Sequence, residues 1–228
     1  GVVVPPKGYF EKVQAILKKY DVLFVADEVI CGFARTGNMF GCDTYGIRPD
    51  LMTCAKQLSS AYLPIAAVLM SGDFYDVLAD QSEKLGNFGM GYTYGGHPVS
   101  AAVALETLKI YESDNILDHV RAVAPRFQAR LKELERHELV GEARGVGLIG
   151  GIEIVRDKAT RAQFDPGLKA NAQVVAKCLQ HGLMVRPLPG DAIGICPPLI
   201  IKEGEVDQLF DRLDAALTDS TAAMPLAA

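Results

Sequence analysis

The chain has 228 residues, of which 49% are hydrophobic and 22% are charged, and it carries a formal net charge of -5 at pH 7. This composition is typical of a globular protein with a substantial core, and it excludes an intrinsically disordered chain. The negative charge and the lack of a long basic run argue against binding to nucleic acid or to a membrane surface. No apolar stretch approaches the length that spans a membrane, and we expect no signal peptide.

The five cysteines are an odd number and include no Cys-x-x-Cys pair. This usage predicts reduced, mostly buried thiols in a cytoplasmic protein, and it favours neither a disulfide framework nor a metal site. The chain opens at "GVVVPPKGYF", without methionine, where one element already runs into the next. We therefore expect a piece of a longer protein.

The first half of the chain alternates helix and strand. The stretch "GYFEKVQAILKKY" has apolar residues at helical spacing, and "DVLFVA" follows as a short buried strand. A glycine-rich loop then leads to the strands "LMTCA" and "PIAAVLMS" and to the short helix "FYDVLADQ". This alternation predicts an α/β fold.

Charged residues follow the first two predicted strands. Asp27 and Glu28 end the first apolar run, and Lys56 follows the second. In open parallel sheets, ligands bind outside the carboxyl ends of the strands, so an acid and a lysine at two such ends can face one cleft. Because a carboxylate is costly to bury without a partner, Asp27 needs a cation or water.

The second half of the chain predicts a smaller α/β unit. A long helix starts at Pro98 after a run of glycines that exposes backbone N–H groups. Beyond it we predict, in order, the helix "ILDHVRAVAPRFQARLKELERH", the strand "GLIGGIEIV", a helix from about Leu168 to Gln180, the segments "LMVRPLP" and "AIGICPP", and the helix "GEVDQLFDRLDAAL". We place the domains at 1–115 and 116–228, and we expect the tail "TDSTAAMPLAA" to be frayed.

An apolar run that ends in Asp-Glu is also typical of the magnesium-binding strand of a P-loop ATPase. The partner motif GxxxxGK[ST] does not occur in this sequence. A fragment of such an ATPase stays a remote alternative, because the motif could lie in a part of the protein that this chain does not include.

Two further motifs suggest functions that their context does not favour. The stretch "GVGLIG", from Gly145 to Gly150, matches the dinucleotide-binding glycine pattern, but a strand follows where a helix should begin. His97 in "GGHP" is a candidate general base or metal ligand. With no second histidine nearby, a capping or packing role is favoured.

Three stretches occur in order along the chain: "DEVICGFARTG", "PDLMTCAKQLSSAYLPIAAVLM" and "GYTYGGHPVSAAVALE". With them the chain resembles the class III, pyridoxal-phosphate-dependent aminotransferases, most closely their omega-amino acid or amine:pyruvate branch. The resemblance covers nearly the whole chain. It implies a fold-type I homodimer with a large, mostly parallel sheet domain, partial here, and a small C-terminal α/β domain. It also implies that an N-terminal part is absent, with a phosphate loop and a ring-stacking aromatic residue.

The resemblance assigns roles to the residues at the strand ends. Asp27 matches the carboxylate that lies against the pyridinium nitrogen of pyridoxal 5'-phosphate, and the apolar strand before it would supply a setting of low dielectric constant. Val29 would pack on the face of the ring. Lys56 matches the Schiff-base lysine, which also moves a proton between substrate and cofactor. Glu28 would face the other way in a structural role, for which Arg35 is a candidate partner.

The resemblance also implies residues farther along the chain. Thr93 matches the position that binds the cofactor phosphate across the dimer interface, and its neighbour Tyr92 is a second candidate cofactor contact. The family often has a histidine where this chain has Met90 and a serine where it has Gly95. Arg186 matches a mobile arginine that clamps the substrate carboxylate, with a local hinge between prolines and a glycine; a solvated edge residue is the alternative.

The implied function is transfer of an amino group from an omega-amino acid or amine to a keto acid such as pyruvate. The partners would be these small molecules and a second copy of the chain, which shares the active site. A mutase or decarboxylase with the same fold stays open, as does an inactive fragment or scaffold. The residues of this chain do not specify the amino donor.

Overall fold

The computed structural model describes residues 1–224. The chain divides into two compact units: the N-terminal unit, Pro5–Leu117, and the C-terminal unit, which comprises Gly1–Val4 and the chain from Asp118 onward. The first residues join the C-terminal unit because the Arg144 guanidinium donates hydrogen bonds to the carbonyls of Gly1 (2.7 Å) and Val2 (2.9 Å). The sequence did not predict this contact. The domains at 1–115 and 116–228 stay a prediction about the whole protein.

The N-terminal unit contains a three-stranded sheet in the order β1-β2-β3. Strand β1 is parallel to β2, and β3 is antiparallel to β2. The strands are β1 Val25–Asp27, β2 Leu51–Cys54 and β3 Ala67–Met70, and the helices are α1 Tyr9–Lys19, α2 Gly41–Tyr45, α3 Gly72–Leu85 and α4 Pro98–Ser113. The α/β pattern predicted for this half is confirmed.

Strand β1 differs from the buried strand predicted for "DVLFVA". It begins only at Val25, because Asp21 turns the chain with a left-handed φ of 53° and the N–H of Phe24 is held by the Asp50 carboxylate at 2.7 Å. Ala26 is buried, but Val25 is 54% exposed. Within the described residues β1 is thus an edge strand that is only partly buried, and the setting of low dielectric constant before Asp27 stays a prediction about the whole protein.

The loop predicted between the first two strands contains the short helix α2. Its first turn is closed by Asp43, whose carboxylate accepts a hydrogen bond from the N–H of Phe40 at 3.0 Å. It ends at Gly46, which has a left-handed φ of 62°. The sequence did not predict this helix, because it has only five residues and lies in a glycine-rich stretch.

The C-terminal unit is built on an antiparallel sheet in the order β4-β5-β7-β6. Its strands are β4 Val140–Val146, β5 Ile149–Ile154, β6 Arg186–Leu188 and β7 Ala192–Ile195, and its helices are α5 Ile116–Glu133, which begins at the border of the two units, α6 Ala170–Gln180 and α7 Glu203–Ala223. In its core the rings of Phe127 on α5 and Phe210 on α7 meet edge to face, with centroids 5.2 Å apart. Both side chains are completely buried.

The glycine pattern "GVGLIG" forms a hairpin between β4 and β5. Gly147 makes the turn with a φ of 57°. A Cβ at Gly145 would lie 2.4 Å from the carbonyl oxygen of Ile149, and one at Gly150 would lie 2.5 Å from a methyl carbon of Leu131. Gly145 allows close packing within the hairpin and Gly150 allows it against α5, so the rejection of a dinucleotide-binding motif is confirmed. Strand β4 itself was not predicted.

Helix α7 extends farther than the sequence predicted. Thr218 to Ala223, expected to be frayed, are helical, and Ser220 is buried with its hydroxyl donating to the carbonyl of Ala216 at 2.7 Å. Residues 225–228 of the predicted tail lie outside the described residues. No helix within residues 1–224 combines the length and the apolar character that crossing a membrane requires.

Candidate active site

Asp27 and Lys56 lie at the carboxyl ends of two adjacent parallel strands. Asp27 is the last residue of β1 and is paired in register with Thr53 of β2. The next N–H, that of Glu28, donates to the Thr53 carbonyl at 2.8 Å. Strand β2 ends one residue later at Cys54, and Lys56 follows. The arrangement predicted from the two strand ends, an acid and a lysine at one edge of a sheet, is therefore present.

The carboxylate of Asp27 is exposed and has a local partner. Its Oδ1 accepts a hydrogen bond from the N–H of Val29 at 3.0 Å, which closes a tight turn directly after β1. This bond fixes Asp27 and Val29 relative to each other. The side chain of Val29 is partly exposed on this turn.

Glu28 is buried, with 4% of its surface exposed. Its two carboxylate oxygens accept hydrogen bonds from the N–H groups of Gly41 (2.9 Å) and Cys42 (2.6 Å), at the N-terminus of α2. Negative charge is favourable at a helix N-terminus. The side chain thus anchors the loop that follows Asp27, which agrees with the structural role that we predicted. Arg35 as its partner stays a prediction.

The Glu28 carboxylate is tightly packed by its neighbours. A Cβ on Gly41 would lie 3.2 Å from both carboxylate oxygens of Glu28 and 3.0 Å from the Cβ of Cys31. Burial, followed by the hydrogen bond to Glu28, raises the pKa of the Cys42 thiol to about 12. This thiol is therefore a neutral packing group at neutral pH, as predicted for the buried cysteines.

Lys56 opens a short 3-10 helix, Lys56–Ser59, and has an unusual backbone conformation. Its φ is 41°, in the left-handed region, and Ser60 and Ala61 follow with φ values of 46° and 61°. Residues other than glycine seldom adopt this conformation, which costs energy and is concentrated at functional sites. The lysine side chain is exposed.

Thr93 and Tyr92 lie in an exposed turn before α4. The N–H of Gly95 donates to the Tyr92 carbonyl at 2.8 Å, and Tyr92 is 84% exposed. His97 is the N-cap residue of α4, but its side chain makes no capping hydrogen bond. Of the two roles predicted for His97, side-chain capping is therefore wrong, whereas the exposed ring packs beside that of Tyr94 with centroids 6.4 Å apart. The roles of Thr93 and Tyr92 stay predictions.

Arg186 belongs to the C-terminal unit and is the first residue of edge strand β6. It is exposed and pairs in register with Gly194 of β7. The hairpin of these strands is held by Asn171 of α6, whose side-chain amide donates to the carbonyls of Leu188 (2.7 Å) and Ala192 (3.1 Å). The backbone at Arg186 is a short edge strand, and the expected hinge there stays a prediction.

The comparison with known protein families identifies the chain. The sequence model of the family described as aminotransferase class-III matches residues 1–217. The chain belongs to the class III aminotransferases. Members of this family use pyridoxal phosphate and have fold type I, so the predicted family and fold class are confirmed.

Two plant enzymes are among the similar relatives of this class III chain. It is 52% identical to gamma aminobutyrate transaminase 3, chloroplastic, of Solanum lycopersicum over 220 residues, which are 96% of this chain and 42% of the relative. It is 50% identical to the probable gamma-aminobutyrate transaminase 3, mitochondrial, of Oryza sativa subsp. indica, over 95% of this chain and 42% of the relative. The chain thus spans less than half the length of these relatives.

Solved structures give the same result. A structure described as a transaminase with L-ala matches with a TM-score of 0.95 and 49% identity, over 98% of this chain and 52% of the other. The omega transaminase from Pseudomonas jessenii in complex with PMP matches with a TM-score of 0.95 and 45% identity, over 99% of this chain and 50% of the other. The fold of this chain is therefore that of a transaminase segment.

Two supporting residues were missed by sequence reasoning. Asn171 was not singled out, because one polar residue at the start of a helix gives no signal of the hairpin that it holds. Tyr111 on α4 was missed as well; its hydroxyl donates to the Gln57 carbonyl at 3.1 Å, directly after Lys56. The available signal was the spacing of Ser100, Ala104, Thr107 and Tyr111 along one helix face.

Proposed function

We propose that the whole protein transfers an amino group from an omega-amino acid or amine to a keto acid such as pyruvate, with pyridoxal 5'-phosphate as cofactor. The observation that carries this proposal is the placement of Asp27 and Lys56 at the ends of β1 and β2 in a class III chain. Ligands of open α/β sheets bind at this edge.

The residues at this edge fit the cofactor. Asp27 offers a carboxylate, which only accepts hydrogen bonds and therefore suits a protonated ring nitrogen. Lys56 offers an exposed primary amine, which suits an aldehyde. Val29 offers an apolar side chain that is held two residues from Asp27 by the hydrogen bond between them. Thr93 and the N–H groups before α4 suit a phosphate, and we keep Tyr92 beside them as a proposed contact.

When bound, pyridoxal phosphate supplies an electron sink for the substrate carbon that loses a proton. Asp27 would keep the proton on the ring nitrogen, because its negative charge favours the protonated form of a group beside it. Lys56 would hold the cofactor through its Nζ, and the same atom would carry the proton that the substrate carbon loses. Glu28 and its bonds to α2 keep the turn with Asp27 and Val29 in place.

Arg186 is the proposed binding group for the substrate carboxylate. An arginine can donate two parallel hydrogen bonds to a carboxylate, which gives both affinity and orientation. Its exposed side chain at the edge of the sheet has room to turn toward or away from a ligand. The named activities of the plant relatives and of the solved neighbours support an omega-amino acid or an amine as the donor.

Several finer statements belong to this proposal. We propose that the enzyme is a homodimer in the cytoplasm and that pyruvate is a keto acid acceptor. The two plant relatives are described as chloroplastic and mitochondrial, so the location of this protein requires its own measurement. A mutase or decarboxylase of the same fold, or an inactive scaffold, are the alternatives that the experiment must separate.

The test uses the full-length protein loaded with pyridoxal phosphate. We expect β-alanine, γ-aminobutyrate or a simple amine to bleach the visible absorbance, and pyruvate to restore it with release of alanine. Lys56→Ala should abolish both changes, whereas Lys84→Ala, at an exposed position of α3, should leave them intact. Release of carbon dioxide or a rearranged amino acid would instead identify a decarboxylase or mutase. A colourless protein that ignores the cofactor would identify a scaffold.

A further inference from the structure

The turn that carries Lys56 contains several unfavourable backbone conformations. Lys56, Ser60 and Ala61 all have left-handed φ values, and none of them is glycine. Such conformations persist only where surrounding contacts impose them. The turn has hydrogen bonds of its own: the N–H groups of Leu58, Ser60, Ala61 and Tyr62 donate to the carbonyls of Ala55 (2.9 Å), Gln57 (3.2 Å), Lys56 (3.1 Å) and Ser59 (3.0 Å), and the Ser59 hydroxyl donates to the Leu63 carbonyl at 2.7 Å. None of these bonds ties the turn to another element, so a contact from outside would add to them.

Helix α4 supplies this contact through one face. The side chains of this face are buried and, except for Tyr111, small, and α4 packs with them against the 3-10 helix of Lys56. Tyr111 is 8% exposed, and its phenol O–H donates to the Gln57 carbonyl at 3.1 Å. The side chain of Ser60 lies beside the same phenol and lowers its pKa. One side chain therefore meets the turn at two points, bonded within the 3-10 helix at Gln57 and beside the residue that ends it.

Tyr111 also contacts the loop that follows Asp27. Its ring is stacked on that of Phe33, with centroids 6.1 Å apart and an angle of 17° between the planes. Phe33 is 5% exposed and lies edge to face with Phe40, just before Gly41, whose N–H is held by Glu28. The loop after Asp27 and the turn with Lys56 thus share one buried support.

The phenol is suited to this task at neutral pH. Burial raises the pKa of Tyr111, and the Ser60 side chain and the charge of Arg35 act in the opposite direction with smaller effect. The group is therefore neutral and keeps its O–H donor. A phenylalanine would fill the same space without it.

We propose that Tyr111 is a positioning residue for Lys56: its hydroxyl holds the turn in the conformation that presents the lysine amine, while its ring couples that turn to the loop after Asp27. This inference rests on the proposed function, because it gives Lys56 a reaction to perform. It assigns to α4 a role in the chemistry although Tyr111 itself is buried beneath the turn.

The test compares Tyr111→Phe, which keeps the ring, with Tyr75→Phe, which removes an exposed hydroxyl on α3. In the full-length holoenzyme we expect Tyr111→Phe to slow both half-reactions, with an amine and with a keto acid, about 5- to 10-fold, the loss that corresponds to one hydrogen bond. The KM values should be unchanged, because no substrate contact is removed. Tyr75→Phe should behave as the wild type in each respect.

Two readouts separate positioning from a general loss of stability. The pH midpoint of the visible absorbance change of the bound cofactor should shift in Tyr111→Phe and not in Tyr75→Phe. In the cofactor-free protein, amide hydrogen exchange at Ser60 and Ala61 should speed up about 5- to 10-fold in Tyr111→Phe, while exchange in the C-terminal unit stays the same.

The outcomes distinguish this inference from the proposed function. If Lys56→Ala, with Tyr111 intact, keeps both half-reactions, the proposed function fails. If Lys56 is essential but Tyr111→Phe matches Tyr75→Phe in rate, pH midpoint and exchange, only the role of Tyr111 is overturned. Should Tyr111→Phe give no soluble protein, Ser60→Ala carries the test: it removes the hydroxyl beside the phenol at an exposed position, and it should slow both half-reactions about 2- to 3-fold. An unchanged rate in Ser60→Ala would then overturn the inference.

Discussion

The two units of this chain bury their apolar side chains to different extents. In the C-terminal unit the sheet and the helices α5 and α7 enclose a continuous core, in which Phe127 and Phe210 are completely buried. In the N-terminal unit large apolar side chains stay on the surface, among them Val25 of β1 (54% exposed) and Val68 of β3 (55% exposed). The unit with the exposed apolar surface is the one that carries Asp27 and Lys56.

This difference indicates that one unit provides stability and the other provides a surface for further contacts. A closed core gives stability without further contacts, whereas an extended exposed apolar surface is typical of an interface. We therefore expect the whole protein to cover the N-terminal unit, either with further chain or with a second subunit. The C-terminal unit, with its closed core, would provide a stable support for Arg186 in its own edge strand.

The largest expected effect tests the closed core. Phe210→Ala should destabilise the 228-residue chain by about 3 to 5 kcal/mol, because it leaves a cavity beside Phe127. Val68→Ala, at an exposed position of β3, should cost less than about 0.5 kcal/mol in the same chain. Urea unfolding measures both. Equal losses would show that the two units do not differ in this way.

Asp27 tests whether the site lies in the exposed unit. Asp27→Asn in the full-length enzyme should lower the transamination rate by about 10²- to 10³-fold, because an amide no longer stabilises a positive charge at the ring nitrogen. The free energy of unfolding should hardly change, since the carboxylate is exposed. Asp73→Asn, in the first turn of α3, is the matched control. A rate within a few-fold of the control would remove Asp27 from the mechanism.

Arg186 tests whether the C-terminal unit contributes to substrate binding. Arg186→Ala should weaken β-alanine and pyruvate by about 2 to 4 kcal/mol, the loss expected when a charge-assisted bidentate contact is removed. The half-reaction with an uncharged aryl-alkyl amine should hardly change. Arg156→Ala, at another exposed arginine of this unit, should affect neither substrate class. Equal losses for charged and uncharged substrates would mean that Arg186 supports the fold instead.

The smallest effect concerns the hairpin that carries Arg186. Asn171→Ala should lower the free energy of unfolding by about 1 to 3 kcal/mol, because the part-buried carbonyl of Leu188 and the buried carbonyl of Ala192 lose their donor. Gln173→Ala, at the exposed position two residues later, serves as control and should stay within about 0.5 kcal/mol. If the two variants unfold at the same urea concentration, the hairpin is held by its strand pairing alone.

Local patterns predicted the helices and strands in which apolar residues recur at regular spacing. The apolar spacing of α1, α4 and α7 and the runs of β2 and β5 were sufficient to place these elements. Strand β4 was missed because Gly141, Glu142, Gly145 and Arg144 interrupt its alternation. In the structure Gly145 is required by a close approach to Ile149, which depends on the partner strand and not on the local sequence.

For the candidate site, local sequence predicted the residues at the strand ends but not the residues that support them. Asp27 and Lys56 each follow an apolar run, so their place at strand ends could be predicted. The supports of the site could not, because they come from distant positions: Tyr111 contacts Gln57 across 54 residues of sequence, and Asn171 contacts Leu188 across 17. Such contacts exist only once the chain has folded.

The most direct test of the active site is the identity of the lysine that holds the cofactor. Borohydride reduction of the full-length protein with bound pyridoxal phosphate, followed by proteolysis and mass spectrometry, should find the added mass on the peptide that contains Lys56. The same treatment of Lys56→Ala should give no modified peptide. A reduced link on another lysine, or one that survives in Lys56→Ala, would contradict the placement of the site at the ends of β1 and β2.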